Sequence, residues 1–145
     1  MPERESSYSP ITYQCRPKLF SSAENDFLRA LRLASHNRGI VLAKVRAIDI
    51  LKPSADLEEA SRQRALKLIS TKRFDFVVCD INDHSVISVV ELDQSTRYRR
   101  DLIMLNRFLD KACRQAGLRL HRFKASASYD ARALRDLLFP GHGEF

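Results

Sequence analysis

Two short stretches, FDFVVCD at residues 74–80 and VVELD at residues 89–93, have the composition of paired β-strands. Both are rich in β-branched or aromatic residues, and the turn-forming segment INDHS lies between them. A hairpin centred on Asp83 places Asp75 opposite Glu91, because each of the two lies eight residues from the apex. We therefore expect these two carboxylates to lie side by side at one end of a hairpin.

Asp93 adds a third carboxylate to this predicted pair. Side chains alternate between the two faces of a strand, so Asp93 shares the face of Glu91. The same face is expected to carry the apolar residues Val77, Cys79, Ile87 and Val89. Carboxylates on an apolar surface repel one another unless a cation lies between them, and oxygen ligands suit Mg²⁺ or Mn²⁺. The pattern predicts a metal site formed by Asp75, Glu91 and Asp93.

A structural interpretation of the same acidic residues stays open. Acidic residues near strand ends are commonly surface residues in ion pairs that contribute little to stability. Lys72, Arg73 and the arginines after Ser95 are the nearest candidate partners. In that case the three carboxylates have no part in any chemistry.

Glu24 is a further acidic candidate for the site. The segment SSAE at residues 21–24 has the form of a capping box, with serine at the N-cap and glutamate at the third helical position. Phe27, Leu28 and Leu31 follow at helical spacing, which turns Glu24 towards the body of the domain. Glu24 is therefore expected either to close the capping box alone or to reach the metal site as well, directly or through water.

Lys44 lies in the middle of a predicted strand at residues 40–51. A lysine beside carboxylates can orient an attacking water or stabilise negative charge that develops on a phosphate group. The alternative is an exposed lysine with no part in chemistry. Alternation puts Lys44 and Arg46 on one face of this strand, and it puts Val41, Ala43, Val45 and Ala47 on the other.

Positive charge is concentrated in one segment of the 145-residue chain. The net charge is +7, and residues 97–124 carry nine lysines and arginines against two acidic residues, whereas residues 1–96 carry 14 against 13. This distribution suggests a polyanionic partner such as nucleic acid, whose backbone binds basic side chains without sequence preference. A solvated basic helix is the alternative. The candidate nucleic-acid-binding residues are Arg97, Arg99, Arg100, Arg107, Lys111, Arg114, Arg122 and Lys124.

The sequence contains no pattern typical of a cysteine or histidine site, or of a glycine-rich phosphate-binding loop. The three cysteines are far apart, the four histidines show no metal-ligand spacing, and the four glycines form no phosphate-binding loop. No apolar run approaches the roughly 18 residues of a membrane span. These features predict a cytoplasmic protein with reduced thiols and no membrane partner.

The elements around the hairpin are predicted to follow the order α-β-(α)-β-β-α-β-α. We expect an arm at residues 1–19, a domain at residues 20–140 and a tail at residues 141–145. Candidate docking points for the arm are Tyr8, Tyr13 and Phe20. The other predicted elements are a helix capped by Ser54 that runs to Ser70, a helix over 98–116 with Gly117 as its C-cap, a strand over 118–123 and a helix over 130–138.

Four short motifs occur along this order: Asp-Phe-Val at 75–77, Glu-Leu-Asp at 91–93, Arg-Asp at 100–101 and Ala-Gly-Leu at 116–118. Over about residues 20–138 the chain resembles the restriction-endonuclease-like PD-(D/E)XK nuclease superfamily, and within it small uncharacterised bacterial domains related to very-short-patch-repair endonucleases. The superfamily has an α-β-β-β-α-β core. Its signature is an acidic residue on the second strand, a Glu-x-Lys on the third and often a glutamate in the first helix. Asp75, Glu91 and Glu24 match those positions.

This resemblance implies an α/β fold in which helices flank a mixed central sheet, with one inserted helix at residues 55–70. It also implies a Mg²⁺- or Mn²⁺-dependent nuclease, with DNA as the expected substrate. Asp75, Glu91 and Asp93 would bind the metal, Glu24 would assist, and Lys44 would orient the nucleophile.

The chain departs from the superfamily pattern at two places. Asp93 stands where Glu-x-Lys has its lysine, and members that lack this lysine sometimes recruit one from another element, for which Lys44 is the candidate. Relatives also tend to carry a histidine soon after Glu-Leu-Asp, where this chain has QSTR at residues 94–97. A catalytically impaired module that binds nucleic acid or a protein partner is therefore the alternative function. The sequence permits a homodimer.

Overall fold

A computed structural model describes residues 10–94 and 100–141 of the chain. It contains four helices and four strands in these residues, all of them within the predicted domain at 20–140. In chain order they are α1 (Ser22–Ala34), β1 (Gly39–Arg46), α2 (Glu59–Ile69), β2 (Arg73–Asp80), β3 (Val86–Asp93), α3 (Arg100–Gln115), β4 (Arg119–Lys124) and α4 (Ala131–Leu138).

The four strands form one mixed sheet in the order β1-β2-β3-β4. β1 pairs antiparallel with β2, and β2 pairs antiparallel with β3. A short turn joins β2 to β3, whereas α2 lies in the connection between β1 and β2. β4 pairs parallel with β3, and α3 makes the crossover that a parallel pair requires. The predicted α/β fold with an α-β-β-β-α-β order and a helix-flanked mixed sheet is therefore confirmed.

Helices α1 and α4 cover one face of the sheet. The capping box that the sequence predicts at the start of α1 is complete, since Ser21 Oγ accepts from the Glu24 N–H and Glu24 Oε1 accepts from the Ser21 N–H. The fully buried Phe27 and Leu31 of α1 pack with the strand residue Phe76 to form the core of this face. This packing fixes the helix start beside β1 and β2.

Helices α2 and α3 cover the other face, where Val77 and Val89 are buried. α3 ends at Gln115, and the predicted capping residue Gly117 follows with a φ of 70°, which suits a glycine. The Gly117 N–H bonds to the Arg114 carbonyl at 3.1 Å and the Leu118 N–H to the Cys113 carbonyl at 2.8 Å, which together form a Schellman motif. This sharp stop lets the chain turn directly into β4.

The predicted alternation along β1 is wrong beyond Lys44. Ala43 packs on the α1–α4 side of the sheet and Val45 on the α2–α3 side, although residues two apart normally share a face. Lys44 has a φ of 53°, in the left-handed region, and this conformation turns the strand between them. The strand then ends at Arg46, earlier than predicted, and a 3₁₀ turn at Ala47–Asp49 follows.

The hairpin also departs from the prediction near its turn. β3 begins at Val86, and a bulge between Val78 and Cys79 sets Cys79 opposite Val86. Ile87 therefore packs on the α1–α4 side, not beside Val77 as predicted. The bulge lies at the turn end of the hairpin, so it leaves the register at the opposite end unchanged.

The start of α2 lies later than predicted. The helix begins at Glu59 with Glu58 as its N-cap residue, and no side chain caps it. The predicted cap Ser54 lies in the preceding turn, where its carbonyl accepts the N–H of Leu57 at 3.3 Å. Ser54 therefore lies too far before Glu58, the N-cap residue, to cap the helix.

Of the candidate docking residues that the structure describes, Phe20 packs against the sheet and Tyr13 does not. Phe20 stacks on Phe76 with ring centroids 6.1 Å apart, whereas Tyr13 is 91% exposed. Tyr8, the third candidate, lies outside the described residues. Within the described chain, no helix combines the length and the apolar character needed to cross a bilayer.

Candidate functional site

A cleft of about 430 Å³ opens at the end of the sheet where β2 begins and β3 ends, on the α2–α3 side. Strand order places the start of β2 next to the end of β3, because the two strands are antiparallel. β4 and α3 close the remaining sides. The cleft is lined by Thr71, Lys72, Arg73, Asp75, Glu91, Leu92, Asp93, Gln94, Asn106, Leu109 and Arg122.

Asp75 and Glu91 form a carboxyl pair in this cleft. The hairpin pairs Phe76 with Val90, and one further step of the same register sets Asp75 opposite Glu91, as the sequence predicts. The backbone N–H of Leu92 donates a hydrogen bond of 2.8 Å to Asp75 Oδ2. This bond fixes the Asp75 carboxylate against the end of β3.

The pairing changes the protonation of Glu91. Burial raises the pKa of Glu91 to about 8, and a hydrogen bond to Asp75 and the negative charge of Asp75 act in the same direction. The positive charge of Arg122 lowers this pKa without cancelling the rise. Glu91 therefore keeps its proton at neutral pH, and a divalent cation placed between the two carboxyl groups would displace it.

Arg122 supplies positive charge inside the cleft. It is the register partner of Glu91 between β3 and β4, and its Nη1 lies 2.6 Å from Asp110 Oδ1 on α3. Its Nη2 is buried and has no hydrogen-bond partner within the described residues. The predicted contact of Arg122 with nucleic acid stays a prediction. Its position gives it a second role, which is to offset part of the charge of the carboxyl pair.

Asp93, the third predicted ligand, lines the same cleft and is in register with Lys124. Within residues 10–94 and 100–141, no three Asp, Glu, His or Cys side chains are grouped closely enough to hold a metal ion. The structure thus brings Asp75 and Glu91 together and leaves Asp93 on the cleft wall. Two carboxylates still fit Mg²⁺, which usually takes one or two protein carboxylates and keeps several waters. The metal site stays a prediction.

Glu24 and Lys44 form a pair of their own. Lys44 Nζ lies 3.6 Å from Glu24 Oε2 and 5.7 Å from the centroid of the Phe20 ring. Neither residue is among those that line the cleft. Glu24 therefore acts first as a structural residue, with one oxygen in the capping box and the other in the ion pair.

A hydrogen bond nevertheless connects the start of α1 to the cleft. Ser21 Oγ donates a hydrogen bond of 3.1 Å to Oε1 of Gln94, a cleft residue that follows β3. This long-range bond joins the capping box that contains Glu24 to the end of the strand that carries Glu91. The contact with the cleft is thus made by Ser21, the residue that Glu24 caps, and not by Glu24 itself.

The basic residues predicted for nucleic-acid binding divide into three groups. Arg107, Lys111 and Arg114 are exposed on the face of α3 that points away from the sheet, and Lys124 is exposed at the end of β4. Arg122 lies in the cleft, beside the carboxyl pair. Outside the described part of the chain are Arg97, Arg99 and the side chain of Arg100.

Lys72 and Arg73 are cleft residues whose role the sequence does not indicate beyond an ion pair. Their closeness in sequence to Asp75 is the only signal that points to them. Within the described structure neither side chain forms the expected ion pair with a carboxylate. Asn106 and Thr71 also line the cleft, and no sequence pattern indicates them.

Cys113 lies close to this charged group but is not a nucleophile candidate. Burial raises the pKa of its thiol to about 11, and the charge of Asp110 adds to the rise. A thiol in this state is protonated at neutral pH and therefore unreactive. Cys79 and Cys113 are buried and Cys15 is exposed, and none of the three forms a disulfide within the described residues.

The chain matches the family described as "Protein of unknown function (DUF2726)" over residues 16–140. This match covers most of the chain, including every described helix and strand and the whole cleft, and the chain therefore belongs to that family. No curated protein matches it, and no solved structure matches it.

Proposed function

We propose that this member of the DUF2726 family is a metal-dependent hydrolase of phosphodiester bonds in nucleic acid, with DNA as the substrate and a restriction-endonuclease-like fold. The observation that carries the proposal is the Asp75–Glu91 carboxyl pair at the open end of a β-hairpin, in a cleft beside a basic helix. The order of the elements and the mixed sheet are consistent with the α-β-β-β-α-β core that the resemblance implies.

In this proposal Asp75 and Glu91 hold Mg²⁺ or Mn²⁺, with Asp93 contributing from the cleft wall. The metal would supply charge neutralisation at the phosphodiester and stabilisation of the leaving oxygen. The Leu92 N–H holds the Asp75 carboxylate in place before substrate arrives. Arg122, fixed by Asp110, balances the negative charge of Glu91 when that residue loses its proton.

Glu24 and Lys44 have supporting roles. Their ion pair joins the first turn of α1 to β1 at the position where the left-handed Lys44 turns the strand. Lys44 lies opposite Asp75 in the β1–β2 register, since its neighbours Ala43 and Val45 pair with the residues on either side of Asp75. A strained residue held in this way next to a candidate site is a common feature of functional sites.

Substrate binding is assigned to the exposed basic surface. Arg107, Lys111 and Arg114 present three positive charges along α3, whose inner face contributes Asn106 to the cleft. Contacts of this type position a phosphate backbone without reading its sequence. The proposal therefore predicts binding that depends strongly on salt and weakly on sequence.

A nucleic-acid-binding module without catalysis is the second candidate. Within the described residues the carboxyl pair has no third ligand close by, and the third strand carries Asp93 where superfamily nucleases have lysine. The basic surface would keep its function in such a module, and Asp75 and Glu91 would serve only the structure of the cleft.

Cleavage of plasmid and linear DNA in Mg²⁺, Mn²⁺ or EDTA separates the candidates. Asp75→Asn and Glu91→Gln keep side-chain shape and remove charge, and Asp136→Asn is the matched control at an exposed position on α4. The proposal predicts metal-dependent cutting that each cleft substitution lowers at least about 100-fold and that Asp136→Asn leaves unchanged. DNA retention without cutting would favour the binding module. Neither binding nor cutting would refute both.

A further inference from the structure

Lys72 and Arg73 are consecutive cationic residues at the mouth of the cleft, where the chain enters β2. The backbone of Lys72 is held on both sides: its N–H donates to the Ile69 carbonyl at 3.1 Å, and its carbonyl accepts the Ala47 N–H at 2.9 Å. The end of α2 and the 3₁₀ turn after β1 therefore hold the backbone that carries these two side chains at the edge of the cleft.

The other cations near the carboxyl groups have partners. Lys44 pairs with Glu24, and Arg122 pairs with Asp110. In the part of the chain that the structure describes, the side chains of Lys72 and Arg73 form no ion pair and no hydrogen bond. They thus differ from the other basic residues of the site in being available to a ligand.

Their location relative to the carboxyl pair indicates which ligand they suit. Lys72 is half-buried in the cleft and Arg73 is exposed, so the two charges lead from the interior to the surface. A chain of phosphate groups can contact both, because its charges repeat along a backbone.

We propose that Lys72 and Arg73 form a phosphate-binding subsite of the cleft, in which Lys72 contacts the phosphate next to the carboxyl pair and Arg73 contacts its neighbour. This inference rests on the proposed function and deepens it, since it assigns a polyphosphodiester substrate to this edge of the cleft. The exposed face of α3 would then bind more distant phosphates.

Fluorescence anisotropy with a labelled 16-base-pair duplex DNA in EDTA tests the subsite without cleavage. Removal of one cation that binds a phosphate should lower the slope of log affinity against log salt by about 0.9. The double variant Lys72→Ala/Arg73→Ala is therefore expected to lower the slope by about 2 and the affinity at low salt by about 10-fold or more. Both backbone hydrogen bonds of Lys72 survive the change, so thermal unfolding should be unaltered.

The matched control is Arg64→Ala/Lys67→Ala, which removes the same charge from exposed positions of α2. The control should change the slope by less than about 0.5. Lys72→Arg/Arg73→Ala, which keeps a cation at position 72, should recover about 0.9 of the lost slope, which a purely structural role would not require. Equal slopes for the two double variants, or no binding by the wild type, would overturn the subsite.

Cleavage assays on the same variants separate this inference from the function on which it rests. If the wild type binds through Lys72 and Arg73 and does not cut DNA in Mg²⁺ or Mn²⁺, catalysis fails and the subsite stands. If the wild type cuts and the cleft double variant cuts and binds like the α2 control, the subsite fails and catalysis stands. If the cleft double variant, unlike the α2 control, loses both DNA binding and DNA cleavage, the subsite and the catalytic function are both supported.

Discussion

Replacement of the Glu91 carboxyl group by an amide, in Glu91→Gln, should change how the free energy of unfolding depends on pH. The pKa of Glu91 rises from 4.5, its ordinary value, to about 8 in the folded protein, because the side chain is buried and lies against Asp75. The native state therefore binds this proton more tightly than the unfolded state does. The resulting stabilisation is complete below about pH 4.5 and is lost progressively as the pH rises towards 8.

The magnitude is large compared with the stability of a domain. Each pH unit within that interval changes the free energy of unfolding by about 1.36 kcal/mol, so the loss across the interval is at most about 5 kcal/mol. Glu91→Gln cannot titrate, and its amide can donate to Asp75 as the protonated carboxyl group does. We therefore expect the variant to match the wild type near pH 5 and to exceed its stability by about 2–5 kcal/mol near pH 9.

Urea unfolding in EDTA at half-unit steps from pH 5 to pH 9 measures this difference. Asp136→Asn, an exposed substitution on α4, is the control and should differ from the wild type by the same small amount at every pH. A difference between Glu91→Gln and the wild type that stays constant from pH 5 to pH 9 would refute the reasoning. It would mean that Glu91 does not share its site with the Asp75 carboxylate.

Three further substitutions test the fold by urea unfolding. Leu138→Ala removes a fully buried side chain and should cost about 2–5 kcal/mol, whereas Leu137→Ala, at a 51% exposed neighbour, should cost less than about 0.5 kcal/mol. Lys44→Gly and Lys44→Ala both remove the ion pair with Glu24, but glycine should be more stable by about 1 kcal/mol because φ is 53°; equal stabilities would contradict that backbone conformation. Gly117→Ala should cost about 1 kcal/mol at a φ of 70° where no neighbouring atom obstructs a Cβ, and an unchanged midpoint would argue against the Schellman motif.

Local sequence patterns correctly predicted the helix ends at which a particular residue type is strongly preferred. The capping box fixed the start of α1, and Gly117 marked the end of α3. The hairpin register followed from two equal spacings about Asp83, so the contact between Asp75 and Glu91 could be predicted without any knowledge of the tertiary structure.

Departures from the prediction arise where tertiary packing overrides the local pattern. Alternation along β1 fails at Lys44, because a left-handed residue changes the face of the strand. The Lys44 side chain pairs with Glu24, so the lysine predicted to reach the carboxylates does not line their cleft, although its backbone lies opposite Asp75. Lys72 does line it, and the backbone hydrogen bonds that hold Lys72 there, to the end of α2 and to the 3₁₀ turn, have no local sequence signal.

Binding of Mn²⁺ to the protein tests the central claim most directly. Isothermal titration in buffers of different ionisation enthalpy reports both the affinity and the protons released on binding. Because the pKa of Glu91 is raised to about 8, one Mn²⁺ bound between Asp75 and Glu91 should release about one proton near pH 6 and far less near pH 9. Glu91→Gln should weaken binding and abolish this release. No binding by the wild type, or binding with the same release in Glu91→Gln, would contradict a metal site at this carboxyl pair.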